Sequence, residues 1–319
     1  MGMNFGSFAS RVVATKVVAT DGTGDFTDIQ SAIDDLPTGG GVVYIKEGTY
    51  TITAKIEIKQ DNTSLIGAGR ATQIKTTSGI HLIEDSSHKG LFISQLRLTG
   101  SGSAVAGQDG IVFLSTTDST ISNCWIDDIG VDGIAFQSSS DNDNVITGNH
   151  IENCIAFGIL LDGKRNIVSD NVIRNNEDGG IEISGSGTTN IITGNVITGN
   201  TDDGIRNSAI GSIISNNFVA SNVRDGIRLE AGASQCIISN NIVIDNDSGD
   251  TATFSGISIK ALADDNIIIG NRADGNDEYQ IEVAGDNCII TNNRTDATGA
   301  VGGINNTGTG NTVANNINT

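Results

Sequence analysis

The sequence predicts a solenoid of stacked short strands, and three observations predict it. Asparagine returns to the same corner again and again, in NVITGN (residues 144–149), NIVSDN (166–171) and NIITGN (190–195), then at Asn217, Asn241, Asn271, Asn293 and Asn316. A Gly-Ile pair recurs with it, at Gly133, Gly158, Gly180, Gly204, Gly226 and Gly256, spaced 22 to 30 residues apart. The 41 glycines, single proline and 4% aromatic content suit a narrow interior filled by aliphatic side chains. A period in this range means one supersecondary unit per repeat, each burying its apolar face against its neighbours.

Residues 1–41 read as a lead-in. RVVATKVVA is a strand, and DGTGDFTDIQSAIDDLPTGGG is a turn, a helix and a stop. Thr27 with Gln30 three residues later forms a capping-box pattern. Ile29, Ile33 and Leu36 follow helical spacing, and Pro37 with Gly39, Gly40 and Gly41 ends the helix. GVVYIKEGTYTI then reads as strand, glycine turn and strand, opening the repeat region at residues 42–319.

DGTGDFTDIQSAID followed by GGGVVYIKEGTY resembles the amino-terminal capping segment of pectate-lyase-like right-handed parallel β-helix proteins. The NxIxxN…GIxI coils are similar to the generic parallel β-helix repeat of that superfamily. The resemblance covers the chain from about Thr20 onward. It implies an all-β fold: one right-handed parallel β-helix solenoid with three strands per coil, an N-terminal capping helix and an asparagine ladder. It also implies carbohydrate lying across the outer face of the strand that matches GIxI. The superfamily includes lyases, hydrolases, epimerases, esterases, viral tailspikes and adhesins, so the fold does not choose among them.

On that grid NIIT is the first strand of a coil, NVIT the second and GIEI the third. The asparagine column falls at the bend between the first two. Asparagine tolerates the left-handed conformation such a bend needs, and its amide can donate to one coil and accept from the next. In the third strand, alternation turns Ile134, Ile159, Ile181, Ile205, Ile227, Ile257 and Ile281 inward. The outward residues are then Val112, Ala135, Leu160, Glu182, Arg206, Arg228, Ser258 and Glu282. Gln137, Asp162, Ser184, Ser208, Glu230 and Lys260 follow each strand, and Asp109, Asp132, Asp203 and Asp225 precede four of the glycines.

This charged face is the candidate site. β-Elimination from a uronate needs neutralisation of the carboxylate, a base for the C5 proton and an acid for the leaving oxygen. Arg206, Arg228, Glu182 and Glu230 are the candidate catalytic residues. Asp162, Asp203, Asp225 and Lys260 are candidate substrate-binding residues, and Asp203 and Asp225 are candidate Ca²⁺ ligands. By the resemblance, Arg206 or Arg228 would be the base. The competing reading is a solubilising ladder of ion pairs, Glu182 with Arg206 and Arg228 with Glu230. Gly-His-Gly and Arg-Ile-Lys, expected of polygalacturonase-type hydrolases, are absent, as is the Asp-Pro-His expected of alginate epimerases. Of the three histidines, His150 points outward on the second strand, away from the charged face. The insertion at residues 245–256 carries Asp245, Asp247 and Asp250 and reads as either a Ca²⁺ site or a solvated loop.

Ile167, Ile191, Ile213, Ile237, Ile267 and Ile289 on the first strand, with Val172, Val196, Phe218 and Ile242 on the second, form an outward apolar stripe suited to a homo-oligomer. The chain ends on NTVANNINT with no capping helix, so its last coil is expected to be truncated, shielded or stacked. The net charge of −20, from 38 acidic and 18 basic residues, argues against nucleic acid. It also disfavours an acidic polysaccharide unless bound cations or a local basic strip invert the field. Cys124, Cys154, Cys236 and Cys288 read as buried free thiols. No segment is apolar and long enough to insert in a membrane. The start lacks a signal-peptide pattern. The compartment is left undetermined, with the resemblance implying an extracellular or virion surface. The expected function is carbohydrate binding or processing, in its sharpest form a polysaccharide lyase with Ca²⁺ dependence. The other expectation is a non-catalytic tailspike-like or cell-surface stalk.

Overall fold

The computed structural model describes residues 15–103, 107–248, 253–296 and 302–319. Within them the chain winds into three parallel sheets of 13, 12 and 11 strands, formed by the first, second and third strands of successive coils. Most strands are three residues long, so each buries one central side chain or two flanking ones. Ile192, Ile214, Ile238, Ile268 and Ile290 fill the first sheet's inner face, and Ile134 through Ile281 fill the third's, all at most 1% exposed. Each coil stacks like residue on like residue, as in Ile181↔Ile205 and Ile205↔Ile227.

The lead-in strand is Lys16–Val18, the start of RVVATKVVA lying outside the described residues. The helix spans Ile29–Asp34 and buries Ile29, Ala32 and Ile33 against the first coil. Its cap differs from the expected one. Asp28, not Thr27, is the N-cap, and its carboxylate accepts the Ser31 backbone N–H at 2.8 Å. Gln30 is drawn outward instead, donating to Asp34 and accepting from the Glu57 backbone N–H. Aspartate wins because a carboxylate at the helix start also meets the positive end of the helix dipole.

Asparagine forms three ladders. At the first bend, each backbone N–H donates to the next coil's side-chain oxygen, in unbroken order through Asn149, Asn171, Asn195, Asn217, Asn241, Asn271, Asn293 and Asn316. The side-chain Nδ2 donates to a backbone carbonyl of the preceding coil, as Asn195 does to Val168. A second ladder runs from Asn176 to Asn276 and ends on Gln280. A third links Asn144, Asn166 and Asn190 before the first strand. The left-handed residue is not the ladder asparagine but the one before it: Asp170, Asn216, Asn240 and Asn292 have φ of 54–56°, and Gly148, Gly194 and Gly270 alternate with them. In the NN pairs, therefore, the first asparagine makes the bend and the second satisfies buried backbone.

The Gly-Ile glycines are needed for space rather than for φ. A Cβ on Gly204 would lie 2.5 Å from Val219 Cγ1 and 2.6 Å from the Gly226 carbonyl oxygen. All four cysteines are free and buried. Ile191, Ile213 and their counterparts do face outward, half-buried along the first sheet and rising to 42% exposure at Ile289.

Candidate functional site

The outward residues of the third sheet fall in one file, in the register Leu160↔Glu182↔Arg206↔Arg228↔Ser258↔Glu282. Coils rise by about 4.8 Å, so Arg206, Arg228 and, at the strand exit one coil on, Lys260 form a short cationic strip in an acidic chain.

Each cation is held by carboxylates. Arg206 Nε pairs with Glu182 Oε2, and Arg206 Nη1 lies 3.6 Å from Asp202 Oδ2. Arg228 Nε is 2.8 Å from Glu230 Oε1, and its Nη1 is 3.6 Å from Asp225 Oδ2. Lys260 Nζ is 3.3 Å from Glu282 Oε2 and 3.8 Å from Asp225 Oδ2. The Phe157 ring lies beneath the Arg206 guanidinium, 5.2 Å from centroid to Cζ. Burial opposes the charge on Arg206, but Glu182 and Asp202 outweigh it and raise the guanidinium pKa. Arg228 is raised likewise, with Asp203, Glu230 and Asp225 overcoming its burial.

The carboxylates behind the strip are unusual. Asp203 and Asp225 occupy the turn before the glycine and form a short ladder of their own: Asp203 Oδ1 accepts the Asp225 N–H, and Asp225 Oδ1 accepts the Ser255 N–H. Their Oδ2 atoms are buried and accept no hydrogen bond. Burial, reinforced by Asp225, pushes the Asp203 carboxyl up to about 8. Burial raises Asp225 to about 6 against the pull of Lys260. Burial raises Glu182 to about 7 despite Arg206. A second Asp pair stands earlier in the same column, where the Asp132 N–H donates to Asp109 Oδ1. There burial and the Asp109 charge lift Asp132 to about 7.

Of the residues named from sequence, Glu182, Arg206, Arg228, Glu230, Asp203, Asp225 and Lys260 come together. Asp162 does not: it exits the Leu160 strand two coils before Arg206, about 10 Å along the axis, and its charge acts on Asp132 and Asp141. Asp202 and Phe157 were missed. Asp202 is adjacent to Asp203 in TDDG and braces both Arg206 and Arg224, and Phe157 takes the column that aspartate holds elsewhere. The ion pairs expected of a solubilising ladder are present, but a ladder alone does not account for buried carboxyls whose second oxygens accept no hydrogen bond.

Ca²⁺ fits poorly. Asp203 and Asp225 have one oxygen each left after their backbone bonds, whereas Ca²⁺ takes about six to eight oxygen ligands, and Arg228 and Lys260 already sit beside Asp225 Oδ2. Among the described residues no group of three or more His, Cys, Asp or Glu is arranged for a metal. In the insertion, Asp247 is buried and accepts the Thr253 N–H at 3.1 Å; Asp250 lies outside the described residues. His150 stacks on Trp125, centroids 3.6 Å apart, and contacts Glu152 on the second sheet. Among the described residues no helix is long and apolar enough to cross a membrane.

Comparison with known proteins places this geometry in context. A family profile described as "Right handed beta helix region" matches residues 21–197. The A-module of mannuronan C-5 epimerase AlgE6 from Azotobacter vinelandii superposes with a TM-score of 0.72 at 18% identity, over 91% of this chain and 94% of that one. The Dettilon tailspike protein gives a TM-score of 0.54 at 17% identity, over 95% of this chain and 66% of its own. In sequence, probable pectinesterase 56 of Arabidopsis thaliana is 42% identical over 60 residues, 18% of this chain and 21% of that protein. The probable pectinesterase/pectinesterase inhibitor 60 of the same plant is 33% identical over 134 residues, 40% of this chain and 19% of its own. The chain thus spans about a fifth of the length of these curated relatives.

Proposed function

The chain belongs to the family of right-handed β-helix regions, and from that premise we propose that its third-sheet face binds and processes an acidic polysaccharide, with β-elimination at a uronate as the reaction. One observation carries the reading: a strip of arginines on the outer face of a parallel sheet, backed by buried carboxyls that titrate near neutrality. The epimerase and pectinesterase likenesses support carbohydrate processing as the class.

Arg206 and Arg228 neutralise the uronate carboxylate and so acidify the C5 proton. Both guanidiniums are held protonated by their carboxylates, so neither suits the role of base that the resemblance implied. Proton transfer falls to Glu182 and Glu230, which pair with Arg206 and Arg228, Glu182 largely buried beneath its arginine and Glu230 part-exposed at the strand exit. The ionised partner takes the C5 proton, the C–H electrons form the C4–C5 double bond, the C4–O4 bond breaks, and the protonated partner donates to the leaving oxygen. Glu182, titrating at about 7, suits either task near neutral pH. Asp203 and Asp225 are too buried to touch sugar and act as positioning residues for Arg228 and Lys260.

The test is ultraviolet detection of unsaturated uronate products from pectate and alginate, with and without Ca²⁺, across pH. Glu182→Gln is expected to lose product while retaining binding. No product at any pH from any substrate sinks the lyase reading. The competing reading, a non-catalytic stalk that assembles through the outward isoleucine stripe, is favoured by the exposure of Val196, Ile242 and Ile289 at 38%, 39% and 42%. A monomeric mass in solution would count against it.

A further inference from the structure

The third-sheet face is not open along its whole length. Val112 and Ala135 point outward yet are fully buried, and at this end of the face Gln137 Nε2 donates to Asp109 Oδ2 at 3.0 Å, with His81 Nδ1 3.1 Å from the same oxygen. Ser258 also points outward and is fully buried, beneath its 3.1 Å hydrogen bond to Glu282 and the contacts of Lys260 with Glu282 and Asp225. Between these two bridges the file Leu160, Glu182, Arg206 and Arg228 remains. Its charge is uneven. The two arginines hold one end, whereas Leu160 and Phe157 form a half-buried apolar saddle at the other, bordered by Asp132 and Asp162.

We infer that this stretch is a bounded subsite for a short acidic oligosaccharide, roughly three to four sugars long from the coil rise, with uronate carboxylates at Arg206 and Arg228 and an uncharged ring on Phe157 and Leu160. The inference rests on the function proposed above. A sugar residue is close in length to the rise of one coil, so one residue per coil fills the file. A further carboxylate at the saddle would face Asp132 and Asp162, and the one cation beside the Phe157 ring, Arg206, is already held by Glu182 and Asp202 and assigned to the neighbouring uronate, which disfavours it electrostatically.

Calorimetric titration with oligouronates of increasing length tests this. Affinity should climb to roughly four sugars and then stay level within about twofold. Gains that continue beyond that length overturn the bounded subsite and leave the polysaccharide reading standing. Failure of every oligouronate to bind overturns both. A tetramer whose terminal uronate is replaced by a neutral sugar should bind at least as tightly as the fully acidic one; a loss of about tenfold or more overturns the assignment of the saddle. Gln137→Ala should lengthen the plateau by one sugar without changing trimer affinity, and an unchanged plateau overturns the role of Gln137 as the stop.

Discussion

Two ladders in this solenoid are built from the same kind of bond and behave as opposites. At the first bend, asparagine oxygens accept backbone N–H groups from the preceding coil, without a break from Asn149 to Asn316. At the lip of the third sheet, aspartate oxygens accept backbone N–H groups from the following coil, in two short pieces interrupted by Phe157 and Gly179. The difference lies in the second atom of each side chain. Asparagine Nδ2 donates, and it finds a carbonyl one coil back. An ionised aspartate has only an acceptor there, and in Asp203 and Asp225 that acceptor is buried and accepts no hydrogen bond. The neutral ladder is complete and carries stability. The acidic one is incomplete, holds buried carboxyls beside Arg228 and Lys260, and so marks the candidate site.

The comparison can be broken most severely from the asparagine side. Asn195→Asp puts a carboxylate where Nδ2 donates to Val168 and Asn217. It should cost about 3 kcal/mol or more at neutral pH, by loss of donors and burial of a charge, and thermal denaturation would register it as a Tm drop that shrinks on acidification. Loss of Tm below about 2 °C would mean the ladder is not the stabilising element proposed.

Arg228→Ala tests the acidic side through function. It should reduce product formation by about 10²-fold or more. Because it removes the cation beside Asp203 and Asp225, their protonation should also become more favourable, extending the loss of Tm with rising pH to higher pH than in the wild type.

Asp203→Asn converts one ladder into the other. In the folded state burial pushes the Asp203 carboxyl up to about 8, against 3.8 for an ordinary aspartate. A raised folded pKa gives stability that is full below the unfolded value and lost as pH rises through the folded one. The wild type should therefore lose Tm progressively between about pH 4 and pH 8, with Asp132 and Glu182 adding to the same slope. The asparagine variant should match the wild type near pH 4 and exceed it by about 1–3 kcal/mol at pH 8. Parallel Tm curves for the two proteins would overturn the assignment. The smallest effect expected is at the cap, where Asp28→Ala should cost about 1 kcal/mol and Thr27→Ala only a few tenths, as resolved by chemical denaturation.

Much of this was legible in the chain. The period, the strand assignments, the inward isoleucines and the register of the charged file all follow from one repeat, because in a solenoid like residues stack on like. Arg206 over Arg228 needed no coordinates, only the alignment of two Gly-Ile pairs. The sequence also marked which corner asparagine would hold. It did not separate the bending residue from the bonding one, since in an NN pair either amide can play either part and only the φ angles decide.

What tertiary structure alone decided is burial and reach. Aspartate before a glycine looks the same at residues 109, 132, 203 and 225, yet the buried oxygens that accept no hydrogen bond are at Asp203 and Asp225. Asp162 shares a column with Glu230 and Lys260 but stands too many coils away to join them. Gln137 reads as an ordinary polar residue until its side chain is seen donating to Asp109. Backbone periodicity is local and repeats with the chain, so the sequence determined it. Desolvation and side-chain contact depend on the summed positions of several coils at once, and no single repeat contains that information.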